Sequence, residues 1–491
     1  VESEVLSLIP EAFARHHELL PLRADEKSIT IATSSPNDVL ERSLLEKYLR
    51  KEVVVNYSTP TDIREHLFWY QKDPKQMFAQ ILEKEKTTVG ESDTTIIELV
   101  TTMVDYAFQG GASDIHIEPE ADYTLIRFRQ DGMLHDIVKL PKTTHENIIT
   151  RLKVLARLAT DEHRAPQDGK IRYKTQWGEA LDLRLSIIPT THAEKAVMRI
   201  LSEKNRQLSL ASLGFSPEDL KKVSGAIRKP WGMILVTGPT GSGKTTTLYA
   251  MLQILNKRDV NITTIEDPVE YQVEGINQIP VNEKTGLTFA KGLRSIVRQD
   301  PDIIMVGEIR DSETANIAVN AAMTGHLVLS TLHTNDSATA FPRLSDMGVE
   351  NFLIASTVNV VIAQRLVRKI CMNCIQSVED DPLQQQIIEE FPEMKEFVMK
   401  LTKKKTLKGL RTFKGKGCHV CHQSGYNGRG GIFEVMIVSE TVKEEIMKSS
   451  NADQILAVAI KEGMLTMLQD GLRRALAGQT TLEEVLRVTR E

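Results

Sequence analysis

Cysteine is scarce in this chain, which has only four among 491 residues. So low a number excludes the disulfide-dense scaffolds that stabilise many small secreted domains. Aromatic residues make up 5% of the sequence, and no apolar run approaches the roughly 18 residues that a membrane-spanning helix needs. The net charge of −5 gives no support for nucleic-acid binding through a broadly basic surface. With 41% apolar and 26% charged residues, the composition is typical of a globular protein, and the length predicts two to four domains.

The amino terminus carries no recognisable targeting signal. Val1 stands where an initiating Met is expected, and no signal-peptide pattern follows it. We interpret this start as a processing or truncation boundary, which leaves open whether a segment precedes it.

All four cysteines fall in two Cys-x2-Cys pairs. Cys371 pairs with Cys374 and Cys418 pairs with Cys421, with 43 residues between the pairs. Two such pairs can supply four thiolates to a tetrahedral Zn²⁺, which leaves no open position for catalysis. A redox-active pair is the alternative interpretation, but redox chemistry would not require a second pair. We therefore predict a structural zinc subdomain over residues 371–421.

Apolar periodicity divides the chain into modules. The boundaries that we predict are a small α/β module at 1–70, a polar linker, partly helical, at 71–92, a second α/β module at 93–204 and a larger α/β domain at 205–491. In the first module, "VLSLIPEAFARHHELL" and "DVLERSLLEKYLRK" predict helices, and "SITIAT" and "VVVNYS" predict strands. The second opens with the helix "TTIIELVTTMVDYAFQ", closed by Gly110-Gly111, and continues with strands.

Several arginines mark the strands of the second module. Arg127 and Arg129 are two residues apart in "LIRFRQDG", so both side chains point to one face of the sheet. Arg184 lies in the strand "ALDLRLSII" and Arg199 in "VMRIL". A solvated strand face is one interpretation, and contact with phosphate on a neighbouring subunit is the other.

The larger domain alternates short apolar strands with helices, which predicts a parallel sheet covered on both faces. The predicted strands are "MILVTG", "ITTIED", "IIMVGE" and "LVLSTLH". Each ends in polar residues, which would gather at the carboxyl edge of the sheet, where open α/β folds bind ligands.

The first of these strands runs into a phosphate-binding loop. Residues 238–245, "GPTGSGKT", fit G-x-x-x-x-G-K-[ST] between a strand and a helix. Glycines let backbone N–H groups approach phosphates closely, and the helix N-terminus favours negative charge. Lys244 is expected to reach the β/γ-phosphates and Thr245 to ligate Mg²⁺. The residues expected to contact the nucleotide are Gly238, Pro239, Thr240, Gly241, Ser242, Gly243, Lys244, Thr245, Thr246 and Asp267.

Acidic residues follow two other strands. In "DIIMVGEIRD", Gly307 stands where a metal-organising Asp is often found, and Glu308 follows it. We expect Glu308 to hold the attacking water and accept its proton, or to hold the metal's water shell. We expect Glu266-Asp267, in "TTIEDPVEY", to compensate for the missing Asp. For Asp267, a helix N-cap before Pro268 is an equally weighted alternative.

Two histidines flank the fourth strand, and two arginines lie on a nearby helix. His333, in "STLHT", is placed to sense the γ-phosphate, and His326 is a second candidate; a structural role is the alternative for each. Arg294 and Arg298 are four residues apart, on one helix face, where they form ion pairs or line a subunit interface.

The order of these motifs resembles the secretion-superfamily ATPases, which drive type IV pilus assembly and type II secretion. The matching blocks run from "GPTGSGKTT" through "TIEDPVEY", "GLRSIVRQDPDIIMVGEIRD" and "TGHLVLSTLHTND" to "AQRLVRKICMNC" and "GCHVCHQSGYNGRGGIFE". "SDIHIEP", "IRFRQDG" and "RAPQDGKI" resemble the PAS-like domain that precedes the ATPase core in this superfamily. The resemblance extends from about residue 3 to 490.

The resemblance implies a RecA-like P-loop ATPase core, a PAS-like domain, a small amino-terminal module and a tetracysteine zinc subdomain. It implies a cytoplasmic homohexamer that hydrolyses ATP with Mg²⁺, contains Zn²⁺, and acts at the inner membrane on a platform protein and associated assembly proteins. The catalytic residues that it implies are Lys244, Glu266, Glu308, His326, His333, Arg184 and Arg199. A hinge at Glu203 to Leu213 would convert hydrolysis into motion. Retraction motors of this superfamily lack the zinc element and the first module, so assembly or secretion is favoured.

Rival functions remain open. Pilus assembly is preferred to type II secretion by a small margin. A ring-shaped DNA translocase is the alternative from another class, but the acidic charge balance and few aromatics give it little help, so no nucleic-acid partner is expected.

Overall fold

The computed structural model describes residues 3–70, 74–87, 92–176, 178–202, 209–421 and 423–489. The chain divides into two compact units, Val1–Glu203 and Lys204–Glu491. Among the helices of the described residues, none combines the length and apolar character required to cross a bilayer. Each unit encloses its own hydrophobic cores.

The first unit begins with a three-stranded sheet and short helices. The strands follow one another in the order β1-β2-β3, with β1 antiparallel and β3 parallel to β2. Leu19, Ile29 and Val53, one from each strand, are buried in a common core. The elements are α1 (Ser3–Ser7), α2 (Glu11–His16), β1 (Leu19–Ala24), β2 (Ser28–Thr33), α3 (Val39–Leu49), β3 (Glu52–Tyr57) and α4 (Pro60–His66).

The stretch "VLSLIPEAFARHHELL", predicted as one helix, contains two helices, α1 and α2. Pro10 lies between α1 and α2 because its ring cannot continue a helix through that position. The end of the same stretch, which the periodicity assigned to a helix, starts strand β1 instead.

A six-stranded antiparallel sheet forms the rest of the first unit, in the order β6-β5-β4-β9-β8-β7. Three helices cover one face, and their apolar residues share a core with the sheet. The elements are α5 (Pro74–Thr87), α6 (Ser92–Gln109), β4 (Ala112–Pro119), β5 (Tyr123–Gln130), β6 (Met133–Pro141), α7 (His145–Ala156), β7 (Gln167–Lys174), β8 (Ala180–Pro189) and β9 (Glu194–Ser202). The predicted opening helix and strands are present.

Much of the expected linker is ordered helix. In α5, Phe78 and Ile81 are buried in the core of the six-stranded sheet, so this segment adds to the packing of that layer. The other linker residues, 71–73 and 88–91, lie outside the described residues, as do 203–208 of the expected hinge.

The second unit is built on a seven-stranded sheet in the order β12-β11-β13-β14-β10-β15-β18. All neighbours are parallel except β15 and β18. The four predicted strands are β10 (Gly232–Thr237), β11 (Ile262–Glu266), β13 (Ile303–Val306) and β14 (Leu327–Leu332); the structure adds β12 (Asn277–Pro280), β15 (Val358–Ile370) and β18 (Tyr426–Ile437).

Helices cover both faces of this sheet. Alternate residues of β10 enter different cores, Met233 and Leu235 one of them and Ile234 and Val236 the other. The helices up to β15 are α8 (Leu210–Leu213), α9 (Pro217–Ile227), α10 (Lys244–Leu255), α11 (Phe289–Ile296), α12 (Ser312–Met323), α13 (Ala340–Asp346) and α14 (Asn351–Thr357).

A two-stranded antiparallel sheet and two helices lie in the spacer between the cysteine pairs, and four helices follow β18 in the described residues. Ile388, Met394 and Val398 of the spacer share a core with Leu472 and Val485 near the carboxyl end. The elements are β16 (Ile375–Glu379), α15 (Pro382–Glu390), α16 (Pro392–Thr402), β17 (Arg411–Gly415), α17 (Glu440–Met447), α18 (Ala452–Lys461), α19 (Met467–Leu476) and α20 (Leu482–Thr489).

Candidate nucleotide-binding site

The phosphate loop connects β10 to α10 through residues that require glycine. Gly238 has φ of 145°, and a Cβ there would lie 2.6 Å from the carbonyl oxygen of Gln364. Gly243 has φ of 88° and is the N-cap of α10, so the free N–H groups of the first helical turn face the loop. Ser242 closes the loop by donating from Oγ to the Pro239 carbonyl, 2.9 Å away. This geometry is a cradle for phosphate oxygens.

Lys244 reaches back over the loop. Its Nζ donates to the carbonyls of Gly238 (2.8 Å) and Pro239 (3.0 Å), and only 9% of the residue is exposed. Burial lowers the pKa of Lys244 to about 8, the nearby Glu308 charge opposes this shift, and the Arg365 charge adds to it. The ammonium group is therefore held at the start of the loop, near one carboxylate and one further cation.

The carboxyl ends of four strands meet beside this loop. Val306 is in register with Ser330, Ile265 with Val306, and Thr237 with Leu332. Gly238, Asp267, Glu308 and His333, which come one or two residues after those strands, therefore lie along a single edge. Thr245 is exposed on the first turn of α10 at the same edge.

Glu308 is 9% exposed and contacts two basic side chains. Its Oε1 lies 2.6 Å from Arg310 Nη2, and its Oε2 lies 3.3 Å from His333 Nε2. Thr331 Oγ1 donates to the carbonyl of Gly307 (2.7 Å) and fixes the backbone just before Glu308. This carboxylate is thus oriented at the sheet edge, close to the phosphate loop, as general-base chemistry requires.

Glu266 has a different environment from the one expected. It is 2% exposed, and its carboxylate accepts hydrogen bonds from Tyr249 Oη, Thr264 Oγ1 (2.5 Å) and Gln278 Nε2 (3.2 Å). Burial, followed by the Glu266 charge, raises the pKa of Tyr249. Both oxygens of Glu266 are therefore engaged within the protein.

Asp267 is exposed at the sheet edge. The helix N-cap alternative for it is wrong: throughout the described segment from Asp267 to β12, no helix begins. Pro268 is joined to it by a cis peptide bond.

His326 is not brought to this edge within one chain. It immediately precedes β14, whose first residue, Leu327, is in register with Gly232. A strand of this length separates the two edges by about 20 Å. Its Nδ1 lies 2.9 Å from the Ala321 carbonyl oxygen, which is compatible with a structural role.

The two candidate arginines of the first unit form part of a cross-strand row. Arg129, Asp114, Arg199 and Arg184 are successive register partners on β5, β4, β9 and β8. Asp114 pairs with Arg199 at 3.0 Å and with Arg129 at 3.8 Å. In the second unit, Arg294 pairs with Glu313 at 2.8 Å.

The four cysteines converge as a candidate zinc centre. All four Sγ atoms lie within 4.8 Å of one another, with separations of 3.8 Å for Cys371–Cys418 and for Cys374–Cys421 and 3.6 Å for Cys418–Cys421. A tetrahedron with Zn–S bonds of about 2.3 Å has edges of about 3.8 Å, so the donor set fits this ion.

Backbone donors favour the thiolate at one of these ligands. Burial disfavours ionisation of Cys421, but the N–H groups of Cys418 and Gly425, 3.2 and 3.3 Å from its Sγ, outweigh burial and lower its pKa to about 7. Burial raises the pKa of Cys371 to about 12, so a cation is needed to hold all four as thiolates.

Sequence reasoning missed several residues around the phosphate loop. Gln364 accepts a hydrogen bond at Oε1 from Thr247 Oγ1 of α10 (2.6 Å), and the neighbouring Arg365 is 7% exposed beside the loop. The signal was a polar pair inside the otherwise apolar "VVIAQRLV". It could mark a functional strand, but contact with the loop depends on long-range pairing of β10 with β15.

The fold and this edge define a P-loop nucleotide-binding protein with a RecA-like core. The family model described as "Type II/IV secretion system protein" matches residues 90–487, and the chain belongs to this family. A second model, the MshEN domain, matches residues 1–77.

Full-length relatives come from two kinds of machine. The chain is 38% identical over 501 residues to the type IV pilus assembly ATPase PilB of Myxococcus xanthus, covering 99% of this chain and 87% of that one. It is also 38% identical over 506 residues to the type II secretion system protein E of Pectobacterium carotovorum, covering 99% and 98%.

A solved structure supports the architecture. The pilus retraction motor PilT with bound ADP aligns with a TM-score of 0.54 and 25% identity, covering 80% of this chain and 97% of that one. The predicted fold class, with its RecA-like core, PAS-like domain, amino-terminal module and tetracysteine cluster, is confirmed.

Proposed function

We propose that this chain is the ATP-hydrolysing motor subunit of a homohexameric ring that powers type IV pilus assembly. One observation supports this most directly: Lys244, Glu308 and His333 lie at one sheet edge of a chain similar over 99% of its length to a pilus assembly ATPase. Its place would be the cytoplasmic side of the inner membrane, bound through a platform protein and associated assembly proteins.

In this proposal the phosphate loop binds the triphosphate, from Gly238 to Thr246, and Lys244 contacts the β/γ-phosphates from its position at the start of the loop. Glu308 accepts a proton from the attacking water, while His333 keeps the carboxylate oriented through the contact at 3.3 Å. Mg²⁺, held by Thr245 with Asp267 nearby, would neutralise phosphate charge. The Glu266 carboxylate would act from its buried position by orienting this edge.

Other candidate residues require a second subunit in this proposal. Arg184 and Arg199 would approach phosphates from the PAS-like domain, and His326 would act where a site is completed by a neighbour. The proposed boundaries are residues 1–70, 93–204 and 205–491, with zinc at 371–421 held by the four cysteines. The proposed hinge, Glu203 to Leu213, would allow motion between domain and core.

Type II secretion is the second candidate. The secretion relative is equally similar, at 38% identity, and the chain covers more of its length, 98% against 87%. Replacing the native gene by the Glu308→Gln form in the source organism should abolish surface pili and leave exported proteins unchanged. Loss of export with normal pili would assign the motor to secretion.

The first biochemical test is steady-state ATP hydrolysis against protein concentration, with and without single- and double-stranded DNA. We expect a steeper-than-linear rise without any effect of DNA, because sites would be completed between subunits. Marked stimulation by DNA would contradict the pilus motor and indicate a translocase.

A further inference from the structure

Strand β15 packs against the phosphate loop. This strand runs parallel to β10 and extends past it, so that Gln364 and Arg365 follow the last paired residue, Ala363, under the loop. Gln364 anchors α10 through Thr247 and places its own carbonyl oxygen against Gly238. A strand paired on both sides, by β10 and β18, therefore supports the start of the loop in addition to the loop's own glycines.

Arg365 carries a buried positive charge to the same place. Its Nη1 lies 3.3 Å from the position that a Cβ on Gly238 would occupy, and its Nη2 donates to Asn335 Oδ1 at 3.3 Å. Asn335 comes two residues after His333, in the segment that leaves the sheet edge. The guanidinium group thus contacts the segment after β14 and lies beside the phosphate loop.

The position of Lys244 shows which end of the nucleotide this is. Its Nζ is bonded to the carbonyls of Gly238 and Pro239, and a phosphate-loop lysine contacts the β- and γ-phosphates. The start of the loop is therefore the terminal-phosphate end of the site. Arg365 lies at that end, close enough for its charge to act on Lys244.

We propose that Arg365 makes this site discriminate a nucleoside triphosphate from a diphosphate, because it holds a guanidinium group, oriented by Asn335, at the terminal-phosphate end of the loop. A triphosphate adds negative charge at that end, and a guanidinium group in fixed orientation stabilises it more than it stabilises a diphosphate. The inference rests on the proposed function, because it takes ATP as the ligand.

The test measures binding of Mg·ADP and of a non-hydrolysable Mg·ATP analogue to the full chain by calorimetry. Arg365→Gln should weaken analogue binding by about tenfold or more and ADP binding much less, because a charge-assisted contact is lost only for the triphosphate. Arg365→Lys should restore part of the preference for the triphosphate, because it retains the positive charge but lacks the planar guanidinium group. Lys369→Gln, an exposed cation on the same strand, is the matched control and should change neither affinity.

Asn335→Ala provides a second variant at an exposed residue, so the comparison does not depend on folding of the buried substitution. It should reduce the preference for the triphosphate in the same direction. Equal weakening of both ligands, or of neither, in variants with wild-type melting would overturn the inference. Wild-type hydrolysis is measured separately: a discriminating site without hydrolysis would overturn the proposed motor function while leaving the role of Arg365 intact.

Discussion

Glu308 combines burial with two basic neighbours, Arg310 and His333, at the edge of the sheet. Arg310 and His333 contact different oxygens of the carboxylate, so its orientation is fixed before any substrate arrives. A carboxylate that is positioned in advance can take a proton from water without first reorganising its surroundings.

Glu308→Gln should therefore lower kcat for ATP by about 10² to 10⁴-fold, because the amide cannot accept the proton, while nucleotide binding is retained. The measurement is steady-state hydrolysis together with calorimetric binding. Glu313→Gln, which removes an exposed carboxylate on the nearby helix α12, is the control and should keep wild-type turnover. Hydrolysis by Glu308→Gln at the wild-type rate would remove Glu308 from the catalytic role.

The phosphate loop and the carboxylates that follow the strands were predictable from the sequence, because each of them is a local pattern. The hydrogen bonds of Glu266 were not predictable in the same way. Tyr249 and Gln278 reach this carboxylate from a helix and from a separate strand, so only tertiary packing reveals that both of its oxygens are engaged. The position of His326 was predictable, because a residue that precedes a parallel strand lies at the sheet edge opposite the carboxyl ends of the strands.

At the scale of elements, α20 is fastened to β15 through one buried carboxylate. Glu484 is 1% exposed and accepts hydrogen bonds from the backbone N–H (3.1 Å) and Nη2 (2.8 Å) of Arg368 and from Arg487 Nη2 (2.7 Å). Burial alone would raise the pKa of Glu484, but the hydrogen bonds from Arg487 and Arg368 outweigh it and lower the pKa to about 2.

This shift makes a pH-dependent contribution to the free energy of unfolding. Since the folded pKa is depressed from 4.5, the stabilisation is fully present above pH 4.5 and is lost as the pH falls toward 2. Glu484→Gln should lower the free energy of unfolding at pH 7 by on the order of 3 kcal/mol. Urea titrations measure the difference in free energy of unfolding between wild type and Glu484→Gln. This difference at pH 3 should be less than half of its value at pH 7.

Glu483→Gln is the control for this prediction, because its side chain is on the exposed neighbouring position of α20. It should show little difference at either pH. A constant difference between wild type and Glu484→Gln from pH 7 to pH 3 would contradict the linkage.

The cysteine cluster leads to a prediction for the two-stranded sheet and the two helices between the cysteine pairs. The purified chain should contain one Zn²⁺, measured by native mass spectrometry, and Cys418→Ser should lose it and become susceptible to proteolysis within 371–421, because the metal joins both ends of this segment. Ser377→Ala, an exposed non-ligand in β16, should keep both zinc and protease resistance. A metal-free wild-type chain with the same resistance would contradict a structural zinc.

Elements with strong local patterns were predicted, and those that depend on distant partners were not. The four predicted strands of the seven-stranded sheet are fully buried and rich in aliphatic and β-branched residues, and polar residues follow each of them. Strand β18 was missed because its first half, "YNGRGG", is polar and glycine-rich and is strand only by pairing with β15. Helix α5 was assigned to a linker because its few apolar residues, among them Phe78, become a buried face only against the six-stranded sheet.

At the scale of the whole molecule, the candidate site residues are divided between the two units. The phosphate loop and the carboxyl edge with Glu308 belong to the second unit, and the row with Arg184 and Arg199 belongs to the first. Each unit has its own buried apolar core.

Differential scanning calorimetry of the full chain should accordingly show two unfolding transitions. Mg·ADP at about 100 times its Kd should stabilise one of them by about 2.7 kcal/mol, because ligand binding to the folded state of one unit shifts only that equilibrium. Lys244→Ala should abolish this displacement while leaving both transitions present. An equal displacement of both transitions in wild type would mean that the two units unfold as one.

Strand β15 also restricts how the chain can change in length. Its 13 residues pass from the sheet core through Gln364, which bonds to Thr247 of α10, and Arg365, which bonds to Asn335, and end immediately before Cys371. Because side chains alternate between the faces of a strand, inserting or deleting one residue before Gln364 would exchange the faces of this pair and shift the first cysteine relative to its partners. Length variation among natural homologues, and peptide tags added by engineering, should therefore be confined to turns such as 403–408, while β15 keeps a constant number of residues.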